Sequence, residues 1–334
     1  MITAPAHHAQ PPHWQRLWRE AVRDPRELLR LLDLPALAAT LSDAAAAQFP
    51  LRVPHGFVAR MRRGDAHDPL LRQVLPLLDE DRVVPGFTLD AVGDGAAGAT
   101  TGVIHKYHGR ALLIATGSCA IHCRYCFRRH FPYAEQTAAA GRWREALDWL
   151  RAHPEIDEVL LSGGDPLSLS TARLAEFTRE LAGITHVGTL RIHTRLPVVL
   201  PERIDGPLLA WLRGLPQRVV VMIHANHGNE FDASVDAALR ALRDAGASLL
   251  NQSVLLRGVN DDADVLAALS RRMFAAGVLP CYLHQLDRVA GTAHFAVDDA
   301  SARDLVATIR ERLPGYLVPR LVREVAGAAA KTPV

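Results

Sequence analysis

The stretch "ALLIATGSCAIHCRYCFRR", residues 111–129, decides how this chain is read. It begins as a short aliphatic run of the kind that forms a core strand. It then passes through Gly117 into a loop that carries three of the four cysteines, Cys119, Cys123 and Cys126, and two arginines follow at once. A buried strand that empties into a loop loaded with reactive side chains fits a parallel α/β fold, in which ligands bind where the strands end.

Downstream the pattern repeats. The runs "EVLLS" (158–162), "TLRIHT" (189–194), "RVVVMIH" (218–224), "SLLNQSVLL" (248–256) and "PCYLHQLD" (280–287) alternate with the amphipathic segments "RWREALDWLRAH", "TARLAEFTRELA", "FDASVDAALRALRDAG" and "DADVLAALSRRMFAAG". Six such units predict a parallel sheet with outer helices, either doubly wound or curved into a full or partial barrel. Polar clusters sit at or just after each strand's C-terminal part: the cysteine loop, "SGGDP", "HTR", "HANH", "NQS" and "HQLD". One such cluster is unremarkable, but six in register predict a shared site. Upstream, residues 1–95 read as a helical region, with helical spacing in "WQRLWREAV", "PRELLRLLDL" and, more loosely, "DPLLRQVLPLLDE". The small residues of "GDGAAGATTG" (93–102) read as a linker into a core of 96–315, followed by a C-terminal segment of 316–334.

The 334 residues suffice for one large α/β domain. A formal net charge of +2 gives no electrostatic case for nucleic acid. No apolar run approaches the roughly 20 residues of a membrane span, and the N-terminus lacks an export pattern, so a cytoplasmic protein is expected. In that reducing compartment, crowded cysteines point to metal or redox chemistry rather than disulfides.

The spacing C-x3-C-x2-C narrows the chemistry. Zinc sites generally take four protein ligands in paired units, and no second pair exists here. An ordinary iron–sulfur cluster takes four cysteines, but Cys281, in an apolar strand, reads as a packed core thiol. Three ligands on a four-iron cluster leave one iron open to a small molecule. Two glycines in "LSGGDPL" (161–167) would let a ligand reach backbone N–H groups, with Asp165 as acceptor, although a tight turn accounts for them equally well. Lysine occurs only at Lys106 and Lys331. Lys331 lies in the small-residue segment "EVAGAAAKTPV", behind a "YLVPRLV" run that reads as a strand, and an amine there suits pyridoxal phosphate (PLP).

The cysteine spacing, with Tyr125 inside it and "SGGDP" after the next strand, resembles the radical S-adenosylmethionine (SAM) enzymes. More narrowly, "HKYHGRALL", "CAIHCRYCFRRHFPYAE", "RIHTRLPVV", "LLNQSVLLRGVND", "YLHQLDRVAGTAHF", "GYLVPRLVREVAG" and "KTP" resemble, in order, the PLP-dependent lysine 2,3-aminomutase family, in its branch that makes (R)-β-lysine for elongation factor P. The resemblance implies a partial parallel (β/α)6 radical SAM barrel with a helical N-terminal region and a C-terminal PLP-lysine segment. It implies a 4Fe–4S cluster on Cys119, Cys123 and Cys126, and PLP on Lys331 with Tyr107 and Arg110 beside its ring and phosphate. Gly163, Gly164, Asp165, His224 and Gln252 match positions around SAM, and Tyr125 a position near its adenine. Arg128 matches the residue that grips the substrate carboxylate, and Asp287 and Glu324 the acidic pair for the ε-ammonium of lysine. Two carboxylates there favour lysine over glutamate, since a buried ammonium needs paired charge.

Further expectations follow from the resemblance. Free L-lysine is the substrate, and a flavodoxin or ferredoxin is the kind of donor that would supply the electron. The functional partners are elongation factor P and its β-lysine ligase, and a homo-oligomer is left open. The zinc-binding extension of the catabolic enzymes is absent, so no zinc is expected. Two rivals stand beside this reading: an aminomutase for another amino acid, and a non-catalytic iron–sulfur electron carrier or sensor without PLP.

Overall fold

Ten strands join into one sheet whose spatial order is simply the order of the chain. They are β1 (Gly98–Thr100), β2 (Val103–Tyr107), β3 (Arg110–Thr116), β4 (Glu158–Gly163), β5 (Thr189–Thr194), β6 (Arg218–Ile223), β7 (Ser248–Val254), β8 (Leu279–His284), β9 (Arg320–Arg323) and β10 (Thr332–Pro333). The computed structural model of the protein describes residues 12–138 and 143–334. From β3 to β9 every pairing is parallel. The pairings β1–β2, β2–β3 and β9–β10 are antiparallel.

A helix bridges each parallel step: Trp143–Ala152, Thr171–Leu181, Gly206–Arg213, Ala233–Asp244, Ala263–Ala275 and Asp299–Arg312. Five of them start where a serine or aspartate (Ser170, Asp205, Asp232, Asp262, Asp298) accepts a hydrogen bond from the first turn, satisfying an otherwise orphaned N–H. Right-handed crossovers in an order that never reverses put all six helices on one face of the sheet. The architecture is therefore an open, singly wound partial barrel and not a doubly wound sheet, which needs a reversal of strand order.

The two-residue period of a strand then sorts side chains. Val159 and Leu161 on β4 and Leu190 and Ile192 on β5 join the hydrophobic core, whereas Leu160, Ser162, Arg191 and His193 between them line a cavity on the other face. The same alternation puts Gln252 and Val254 of β7, and Tyr282 and His284 of β8, into that cavity.

Several expectations change. The 93–102 stretch is no free linker: Asp94 is only 3% exposed, and β1 lies inside it as an edge strand. Residues 103–107 form β2, and the strand expected over "YLVPRLV" (316–322) forms only at its end, where β9 becomes a seventh parallel strand. Helix Gly206–Arg213 escaped notice because Pro and Gly on either side mask a short, largely apolar segment. The helix expected over "DPLLRQVLPLLDE" stops at Arg72, since Pro76 cannot continue it. Cys281 is half-buried on β8 rather than packed in the core, because its stretch of that strand is only partly covered. The first residue of the expected 142–153 helix lies outside the described residues. Among the described residues no helix is long and apolar enough to cross a membrane.

Candidate active site

All fifteen residues singled out in the sequence line one cavity of about 1000 Å³ at the C-terminal ends of the parallel strands. They come from the cysteine loop, from β2 and the segments around β9 and β10, and from the ends of β4, β6, β7 and β8 between them.

The loop after β3 is held by the N-terminal region. The Cys119 carbonyl accepts from Trp18 Nε1 and from Arg52, both at 3.2 Å. The Arg124 amide donates to the Gln73 carbonyl at 2.9 Å. Its fully buried guanidinium grips both oxygens of Glu80 at 2.8 and 2.6 Å, and Arg129 shares that carboxylate at 2.7 Å. A buried carboxylate with two guanidiniums satisfies charges that would be costly alone.

The glycines of "SGGDP" serve this loop more directly than a ligand. Gly163 has φ +113°, and a Cβ there would lie 2.6 Å from the Thr116 carbonyl oxygen; one on Gly164 would lie 2.5 Å from that of Ser118. The Gly164 and Asp165 amides donate to those same oxygens at 2.6 and 2.8 Å. Asp165 in turn accepts from Thr194 Oγ1 and from the amides of Leu167, Arg195 and Leu196. Backbone donors read from sequence as open to a ligand are thus already engaged, because two strand ends must pack against each other at backbone distance.

The three thiols feel one another. Burial, then Asp165 and the other two thiols, push Cys119 well up, and burial followed by Cys123 raises Cys126 to about 11. Bound metal cations would reverse this by stabilising the thiolates. Among the described residues no three His, Cys, Asp or Glu side chains converge closely enough to chelate one ion. The three thiols line the same cavity, a thiolate donor set of the kind that holds an iron–sulfur cluster.

Beside the loop lies a buried polar network. Tyr125 Oη meets His224 Nε2 at 2.9 Å and accepts from Asn226 Nδ2 at 2.8 Å, and its ring stacks on His224. Burial, helped by Arg195, lowers His224 to about 3, so its imidazole is neutral. Arg195 donates to Tyr125 Oη, Cys123 Sγ, Gln73 and Glu230. Gln252 and Arg110 line the cavity, the latter with its guanidinium 5.0 Å over the Tyr107 ring.

A chain of alternating charge joins the cysteine loop to the β2 and β9 segments. Arg128 donates to Asp94 at 2.7 Å and to Ser162 Oγ at 3.0 Å. Asp94 pairs with Lys106 at 2.6 Å, and Lys106 lies 3.7 Å from Glu324. Glu324 accepts from Lys331 Nζ at 2.7 Å and from Tyr107 Oη at 2.6 Å. Burial alone would raise Glu324, but Lys331, Tyr107 and Lys106 hold it below the usual carboxylate range. Asp287 makes no side-chain hydrogen bond among the described residues: burial and the neighbouring Glu324 charge raise it to about 7, against a smaller pull from Lys331 and Lys106. Of the acidic pair, one member is already bonded and the other stands open. Asp94 and Lys106 were missed in the sequence, although the scarcity of lysine pointed at Lys106.

The comparisons with known proteins agree with this geometry. Residues 113–269 match the Radical SAM superfamily model. The chain is 47% identical over 322 residues to the L-lysine 2,3-aminomutase of Escherichia coli K12, covering 96% of this chain and 94% of that one. The chain belongs to the lysine 2,3-aminomutase family. The Haemophilus influenzae L-lysine 2,3-aminomutase is 44% identical, over 96% of this chain and 95% of its own length. The family's Clostridium subterminale member is 35% identical over 81% of this chain and 65% of that entire protein. Lysine 2,3-aminomutases are isomerases, and membership in the radical SAM superfamily implies a 4Fe–4S cluster and SAM, which the three-thiol loop fits.

Proposed function

We propose that the protein converts free L-lysine to (R)-β-lysine, with PLP held by Lys331 and radical initiation at the cysteine loop. The observation that carries this reading is that one cavity holds both the three-cysteine loop and a lysine amine set between a carboxylate and a tyrosine. When bound, the cluster with SAM supplies a hydrogen-abstracting carbon radical, and PLP supplies the aldehyde through which an amino group migrates.

The chain's own residues bind, orient and exclude water. Lys331 would hold PLP through its Nζ, and Glu324, which already accepts from that amine, would be one acceptor for a substrate ammonium. Asp287 is the second acceptor, and Arg128, fixed by Asp94 and Ser162, takes the substrate carboxylate as a planar donor. Tyr107 and Arg110 would flank the PLP ring and phosphate. Tyr125, Gly163, Gly164, Asp165, His224 and Gln252 form the SAM wall. Holding lysine at both ends fixes C2 and C3 against the radical source, which is where positioning contributes most to rate.

In this reading the product feeds a cytoplasmic ligase that attaches β-lysine to elongation factor P, and a flavodoxin or ferredoxin supplies the electron. The test is anaerobic reconstitution with dithionite, SAM, PLP and L-lysine, with products followed by chiral mass spectrometry. (R)-β-lysine is expected. Formation of 5′-deoxyadenosine without β-lysine would remove lysine as substrate. Borohydride reduction that leaves no pyridoxyl mass on the Lys331 peptide would remove PLP.

A further inference from the structure

We infer that Arg195 is a positioning residue that sets the reduction potential of the cluster, with Glu230 as its counterweight. The inference rests on the cluster assignment and not on lysine as substrate.

Arg195 follows β5 at the point where the chain turns into Leu196–Val199, and Asp165 pins that turn by accepting from the Arg195 and Leu196 amides. The side chain is 7% exposed and runs between the rings of Phe57 and Tyr125. One terminal nitrogen donates to Cys123 Sγ at 2.8 Å and to Tyr125 Oη at 2.7 Å. The other donates to Gln73 Oε1 at 2.7 Å and to Glu230 Oε2 at 2.9 Å. Glu230 is fully buried, and its other oxygen accepts from Gln73 Nε2 and from the Asn226 and His227 amides. The guanidinium is therefore locked in place, and among the three thiols it is Cys123 that receives a charged donor.

A cluster on these thiols gains one negative charge when reduced. Hydrogen bonds to its sulfurs and nearby positive charge favour the reduced form, and burial strengthens both effects. Arg195 stabilises that added charge, while Glu230 restrains the gain and keeps the arginine in position. Opposite effects of the two residues follow, which a purely structural role would not produce.

The experiment measures the reduced-to-oxidised ratio by electron paramagnetic resonance of the full-length, reconstituted protein in mediator-poised solutions without lysine. Because R195M alone strands Glu230, the double variant R195M/E230Q keeps the site neutral and filled. It is expected to lower the ratio at least tenfold at a fixed poise, which is about 59 mV for a one-electron couple. E230Q alone is expected to raise it. An unchanged ratio in the double variant, with iron and sulfide content intact, overturns the inference and leaves the lysine reading standing. Weakened SAM binding at an unchanged ratio overturns it as well, and gives Arg195 to the SAM wall. A wild-type chain that assembles no cluster removes the cluster assignment and this inference together.

Discussion

Asp287 shows how one side chain couples stability to use. Its native pKa of about 7 lies above the ordinary 3.8 because burial and Glu324 disfavour the charged form. Between those values the native state holds a proton that the unfolded chain has lost, so this residue's contribution falls as pH rises through that window. Asp287→Asn removes the liability. Its thermal midpoint should gain on the wild type as pH rises from about 4 to about 7 and then level off, checked by calorimetry across that range. The same substitution takes away the charge proposed to receive an ammonium. Lysine turnover should fall by about one to two orders of magnitude, the span set by losing a charge-assisted bond of about 1.5–3 kcal/mol. In the wild type, kcat/KM for lysine should decline as pH drops below about 7, where Asp287 becomes neutral. A flat profile would show that Asp287 does not receive the substrate's charge.

The cysteine loop is an element built from outside itself. Its arginines reach Glu80, its Cys119 carbonyl accepts from Trp18 and Arg52, and its return contact is the "SGGDP" turn. Glu80→Gln should cost about 3–5 kcal/mol, since removing one partner strands buried charge. Denaturant unfolding measures the loss, and iron content should fall with it. Gly164→Ala should cost about 1–3 kcal/mol through overpacking. Its Cβ would press on the carbonyl of Ser118, the residue next to Cys119, rather than on a flexible side chain, so cluster loading should suffer first. The cysteine triplet itself was legible because spacing is a one-dimensional property. The reason for its glycines was not, because that lies in a backbone approach between strands far apart in sequence. Asp94 was hidden for a related reason: in a run of glycine and alanine it reads as solvated, and only the fold brings Lys106 and Arg128 to it.

At the scale of the molecule, the repeated strand–helix pattern carried the fold, and the polar strand ends carried the convergence of six segments on one cavity. What the pattern left open was curvature. That depends on strand order, which no local period encodes, and it was resolved only by the unbroken β1 to β10 sequence of neighbours. The cavity draws its cluster wall from the first half of this sheet and its lysine from the last strands. A chain ending after residue 325 should therefore still load a cluster and bind SAM, yet take up no pyridoxyl label after borohydride reduction. Loss of the cluster in that truncation would show that the two walls depend on each other for folding.

That same order of neighbours bears on how the protein is made. Each strand pairs with the one synthesised just before it, so the sheet can grow behind the ribosome without waiting for a distant partner. The thiol loop is laid down early against N-terminal chain that already exists, and the later strands add the "SGGDP" turn and Arg195. The amine proposed to capture the aldehyde emerges at the far edge, after β3 to β9 have been made. Assembly thus has a built-in sequence, metal pocket first and aldehyde trap last, and an unfinished chain has no means of arming itself.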